Sequence, residues 1–94
     1  MKFMLTFTMK SETRDTAFAR FAKTQARPPK GVTLLGRWIA ADLSGGFDLL
    51  ESEDPTAITE FALGWSDLID LRVVPVVDDQ GLTQALSRAG KPAA

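Results

Sequence analysis

The 94-residue chain has no cysteine, no histidine and no tyrosine. Without cysteine there are no disulfides, thiolate nucleophiles or cysteine-ligated metals. Without histidine the commonest general base and the commonest metal ligand are gone. Any chemistry must use carboxylates, lysine, arginine, hydroxyls, backbone groups or the reactivity of a substrate itself, and no cofactor or metal site is expected. An excess of one charge is also missing. The 11 basic and 12 acidic residues leave a net charge of −1, and no lysine cluster stands out. That balance gives neither the footprint of a nucleic-acid binder nor that of a protein drawn to anionic membranes. No stretch approaches the ~20 apolar residues of a membrane span. The opening MKFMLTFTMK is interrupted by Lys10 and Glu12 too early for a signal peptide, so a cytoplasmic location is the default expectation.

What is present is ordinary for a globular domain: 45% apolar and 24% charged residues. The length suits a single domain, expected over residues 1–90, with residues 91–94 as a frayed tail.

Residues 2–9 alternate, with Phe3, Leu5, Phe7 and Met9 on one side, which predicts a first strand. Residues 13–25 change period. Ala17, Phe18, Phe21 and Ala22 form a helical stripe, with Ser11 or Thr13 as possible caps, and the following ARPPKG cannot continue a helix. Residues 32–41 and 46–53 predict an antiparallel hairpin around DLSGG. Asp54-Pro55 reads as an N-cap and first helical residue, followed by a stripe of Ile58, Phe61, Ala62, Trp65, Leu68 and Ile69. Residues 70–77 predict a fourth strand, in which Pro75 points to a sheet edge or a bulge. Asp78-Asp79 opens a short last helix with Leu82, Ala85, Leu86 and Ala89 on one face and Gly90 beyond its end.

The order β-α-β-β-α-β plus a terminal helix gives an α+β, ferredoxin-like sandwich when its crossovers are right-handed. Two helices cover one sheet face only. The other face would still carry apolar groups, including Trp38, and an exposed patch of that kind predicts a homodimer packed sheet to sheet.

The stretches GRW (36–38), GGFDLLE (45–51), DPTAITEFALGWSDL (54–68) and VVPVVDD (73–79) together resemble a family of short bacterial proteins known only as a domain of unknown function, the 3303 group. That group in turn is similar to the dimeric α+β barrel superfamily, which contains cofactor-free monooxygenases, lactone isomerases, haem enzymes and members without known activity. The resemblance implies the fold and the dimer. It supplies no catalytic residue, and histidines used by many enzymatic members cannot exist here. Fold likeness alone is weak ground for function.

The candidate site comes from the hairpin. A three-residue loop, Leu43-Ser44-Gly45, with glycine in the left-handed conformation, sets Asp42 opposite Gly46. Ile39 then faces Leu49, Trp38 faces Leu50 and Arg37 faces Glu51. A two-residue loop would instead set Arg37 opposite Ser52. In the first register Arg37 and Glu51 point toward the helices, and Trp38 and Asp48 toward the partner copy. As a plain cross-strand ion pair, Arg37–Glu51 is worth about 0.2–1 kcal/mol. As a site, Arg37 would grip a carboxylate or enolate and Glu51 would take a proton.

The structural reading of that pair is preferred, as is core packing for Trp65 over ligand stacking. Asp42 is explained by turn chemistry and Asp78-Asp79 by helix capping. Asp67 either pairs with an arginine or is solvated. LSGGF joins two strands and leads into no helix, so it is rejected as a phosphate loop.

Two functions follow. The first is a structural or small-molecule-binding module with Arg37, Glu51 and Trp65 as ligand contacts. The alternative is a cofactor-free, monooxygenase- or isomerase-like enzyme on a small aromatic or carbonyl compound, using Arg37 and Glu51. A cavity between sheet and helices with Arg37 at its wall would keep the enzyme reading alive; a filled space would remove it.

Overall fold

A computed structural model describes residues 1–92. The elements run β1 (Lys2–Met9), α1 (Arg14–Thr24), β2 (Thr33–Ile39), β3 (Gly45–Glu51), α2 (Pro55–Leu63), β4 (Ile69–Val76) and α3 (Asp79–Arg88). The four strands form one antiparallel sheet in the order β2-β3-β1-β4. This is the expected ferredoxin-like α+β architecture with a terminal helix. Pro75 sits on β4, an edge strand, where its missing N–H costs no ladder bond on the open side.

The alternation in β1 decides which sheet face is covered. Phe3 and Leu5 are buried, and they pack with Leu50 of β3 and with Ala57, Ile58 and Phe61 of α2. A second cluster joins Ala17 of α1 to Leu68 and Ile69. On the opposite face Trp38 and Phe47 stand 57% and 47% exposed.

Capping follows the sequence at three helix ends. Asp54 accepts from the Thr56 amide at 3.0 Å with Pro55 behind it, and Asp78 accepts from the Gly81 amide at 2.8 Å. At the end of α3, Lys91 N–H donates to Leu86 O and Gly90 N–H to Ser87 O, with Gly90 at φ 69°. That pair of bonds is the Schellman arrangement glycine permits. Lys91 therefore belongs to an ordered cap; of the tail expected to fray, residues 93–94 lie outside the described residues. No side chain of α3 is buried.

Two expectations fail. Neither proposed cap serves α1: Thr13 stands at the N-cap, but its hydroxyl donates to Leu68 O at 2.6 Å. And α2 stops at Leu63, so the stripe through Trp65, Leu68 and Ile69 is not one helix. Gly64 is a poor helix residue, and Arg20 of α1 takes its carbonyl at 2.9 Å while binding both oxygens of Asp67 at 2.8 Å. The chain beyond Leu63 folds into tight turns that return Ile69 to the sheet.

The hairpin differs most. Ala40 N–H donates to Gly45 O at 2.8 Å, so the loop has four residues, and Leu43, not Gly45, adopts positive φ, at 65°. Gly45 and Gly46 serve close approach instead. A Cβ on Gly45 would collide with the Phe7 carbonyl, and one on Gly46 would lie 2.6 Å from the Phe7 ring. A β-bulge between Leu34 and Gly36 shifts the ladder again. The resulting pairs are Arg37 with Asp48, Trp38 with Phe47 and Ile39 with Gly46. The expected pairs of Arg37 with Glu51, Trp38 with Leu50, Ile39 with Leu49 and Asp42 with Gly46 do not form. Because strand side chains alternate with period two, this odd displacement exchanges the faces of β3. Asp48 turns toward the helices, and Phe47, Leu49 and Glu51 turn to the open face.

Candidate functional site

A cavity of about 400 Å³ lies between α1 and the sheet. Its floor comes from alternating residues of the covered face, Leu5 and Phe7 of β1 and Leu71 of β4 among them. Ala17, Phe18 and Phe21 of α1 form its roof, and Trp65 closes one end. Among the described residues Arg37 and Asp48 are the only charged side chains in its lining.

These two form one unit. Arg37 Nε donates to Asp48 Oδ1 at 2.7 Å and Nη2 to Oδ2 at 3.1 Å. The side chains are 15% and 4% exposed, so both charges are largely out of water. The guanidinium also reaches the end of α1: Nη1 donates to Gln25 O at 3.1 Å and Nη2 to Ala26 O at 2.8 Å. Gln25 and Ala26 have φ of 59° and 47°. Left-handed backbone costs an ordinary residue about 1–2 kcal/mol, and here it turns two carbonyls toward one cation. A cation at a helix C-terminus is favourable in its own right. The Phe21 ring lies over the guanidinium, 5.8 Å from centroid to Cζ. Arg37 thus ties α1, the cavity roof, to β2 and β3.

A second arginine fastens the other side. Arg20 binds Asp67 bidentately and stands 5.5 Å from the Trp65 ring centroid. Its hydrogen bond holds the Asp67 carboxyl below the ordinary aspartate value of 3.8. Asp67 therefore pairs with an arginine, one of the two expected outcomes.

Of the expected site residues, Arg37 and Trp65 line the cavity and Glu51 does not. Glu51 lies on the open face opposite Lys2 and Thr33, with Oε2 3.3 Å from the N-terminal ammonium. The four-residue loop sets Arg37 opposite Asp48 and so separates it from Glu51. Trp38 does lie on the open face, its ring across Gly36, where a Cβ would meet it at 2.6 Å. Asp48 was expected at the partner face and is the residue that sequence reasoning missed. One signal could have found it. Arg37 is the only charged residue in TLLGRWI, and GGFDLLE holds two acids, Asp48 at its middle and Glu51 at its end. Charge complementarity between two such strands favours setting Arg37 opposite one of these acids.

Among the described residues no three acidic side chains gather as a metal site, and no helix is long and apolar enough to cross a membrane. The model for a domain of unknown function, DUF3303, matches residues 1–90. No curated protein matches the chain. Among solved structures, that of Rv0793 from Mycobacterium tuberculosis is similar with a TM-score of 0.51 at 14% identity, covering 82% of this chain and 95% of its own. At that identity the likeness concerns the fold alone.

Proposed function

We propose that this chain, which belongs to the DUF3303 family, is a small-molecule-binding module whose cavity takes one compact, largely apolar molecule. The observation that carries this is a space of about 400 Å³ under α1 with a single neutralised ion pair in an otherwise apolar lining. Ligand pockets generally have this character, with few polar groups fixing orientation. N-phenyl-1-naphthylamine, a neutral probe that brightens in apolar surroundings, tests it. Saturable brightening at one probe per chain is expected, weakened at least about tenfold by Ala17→Leu, which fills the roof. Brightening that is absent, or that survives Ala17→Leu unchanged in a variant with native circular dichroism, would refute the reading.

The cofactor-free enzyme remains the second reading because Arg37 stands at the cavity wall. Glu51 cannot serve as its base from the other face of the sheet. Asp48 would have to, and both its oxygens already accept from Arg37. Binding is placed first for that reason; a bound molecule recovered chemically unchanged after long incubation supports it, and turnover supports the enzyme.

The reading includes a homodimer through the open sheet face. Trp38 and Phe47, paired across β2 and β3 and both about half exposed, form the centre of an apolar patch that a second copy would cover.

A further inference from the structure

We propose that the cavity selects a neutral molecule with a compact apolar body and one hydroxyl, which donates to the carboxylate of Asp48. This rests on the binding reading above and names the ligand class for that site. A carboxylate offers about four acceptor positions. Asp48 uses two of them, one per oxygen, and both go to Arg37. The residue is 3% exposed and lines the cavity, so an occupant of that space could use the remaining acceptor capacity with little competition from bulk water.

Arg37 is in the opposite condition. Of its five N–H donors, one goes from Nε and one from Nη2 to Asp48, one from Nη2 to Ala26 O and one from Nη1 to Gln25 O. The Phe21 ring covers the guanidinium. The guanidinium is committed to the end of α1 and is no clamp for an anion.

Charge decides between ligand types. The pair is neutral as it stands. A carboxylate ligand would bury a net negative charge beside Asp48, and an ammonium would bury a net positive one, in a lining with no other charged group among the described residues. Uncompensated buried charge is costly. A hydroxyl donates one charge-assisted hydrogen bond and changes no charge. Elsewhere the lining is apolar, so a single hydroxyl on a hydrocarbon body matches it.

The test uses three compounds of one shape: adamantane, 1-adamantanol and adamantane-1-carboxylate, each displacing N-phenyl-1-naphthylamine from the full-length protein at pH 7. Expected is 1-adamantanol tighter than adamantane by about tenfold or more, with the carboxylate weakest. The paired replacement Arg37→Met/Asp48→Leu should erase the preference for the alcohol and leave adamantane bound. Equal binding of alcohol and hydrocarbon overturns the proposal while the binding module stands. Tightest binding by the carboxylate overturns it too and marks Arg37 as an anion site. If the probe never binds, the cavity reading itself has failed. Should the paired variant not fold, the three compounds on the wild-type chain decide the matter alone.

Discussion

Arg37→Met removes the guanidinium that pairs with Asp48 and leaves a stem of similar length in the same packing. What remains is a carboxylate whose side chain is 4% exposed, with no counter-charge, and two carbonyls at the end of α1 without their donor. Breaking a buried pair from one side costs about 3–5 kcal/mol. Against a total stability of about 5–15 kcal/mol for a domain, that is a large share. Asp48→Leu should cost less, because Arg37 keeps the Gln25 and Ala26 carbonyls and the helix end. The double replacement leaves no buried charge, and exchanging a buried ion pair for apolar groups is often neutral. The two single costs should therefore fail to add by about 2 kcal/mol or more. Urea unfolding followed by circular dichroism, at one fixed protein concentration, measures all four corners of the cycle. If Arg37→Met costs under about 1 kcal/mol, or if the single costs simply add, then the pair is not the buried fastening described above.

Three further outcomes are expected. Gly46→Ala places a Cβ against the Phe7 ring and the Trp38 carbonyl, and overpacking of that kind costs about 1–3 kcal/mol, read as a lower urea midpoint; an unchanged midpoint counts against the close approach. The Asp67 carboxyl is held below its ordinary 3.8 by the Arg20 hydrogen bond, so its contribution is present above that value and lost as pH falls through the depressed one. Hydrogen exchange in α1 should accelerate between neutral pH and pH below about 4 beyond the intrinsic pH effect, and Asp67→Asn should flatten that excess. Trp38→Glu puts a charge in the middle of the open face and should convert a dimeric mass by light scattering into a monomeric one, whereas a wild-type monomer at micromolar concentration would remove the homodimer.

Most of the fold was legible because it depends on period and punctuation. The alternation of Phe3, Leu5 and Phe7, the Asp54-Pro55 start, Pro75 on an edge and Gly90 past a helix end each carry a local physical reason, and each appears as expected. The candidate site was only half legible because it depends on register, which local rules fix poorly. DLSGG offers glycines where a short turn would use them. The glycines are needed instead by Phe7 on a neighbouring strand, which the hairpin's own sequence does not reveal. Leu43 takes the left-handed position that Gly45 was expected to hold. The end of α2 was lost for a similar reason: the stripe continues in sequence, but Arg20, more than 40 residues away along the chain, captures the Gly64 carbonyl and Asp67. Arg37 and Trp65 were found from their places on strand and stripe, and Asp48 was missed when the faces of β3 were exchanged.

The bulge between Leu34 and Gly36 lets β2 hold one residue more than β3 without changing which face any paired side chain takes. Deleting Leu35 would restore plain alternation through the strand. Leu34 would still pair with Leu50, Gly36 with Leu49 and Arg37 with Asp48, so Arg37 would keep the covered face and Trp38 the open one. A single lost codon would remove the local distortion of β2 and leave the cavity lining and the open face in place. Length variation among relatives should accordingly be tolerated at Leu35 as well as in residues 41–44. A relative that lacks the extra residue should therefore keep an arginine and an aspartate paired as Arg37 and Asp48 are.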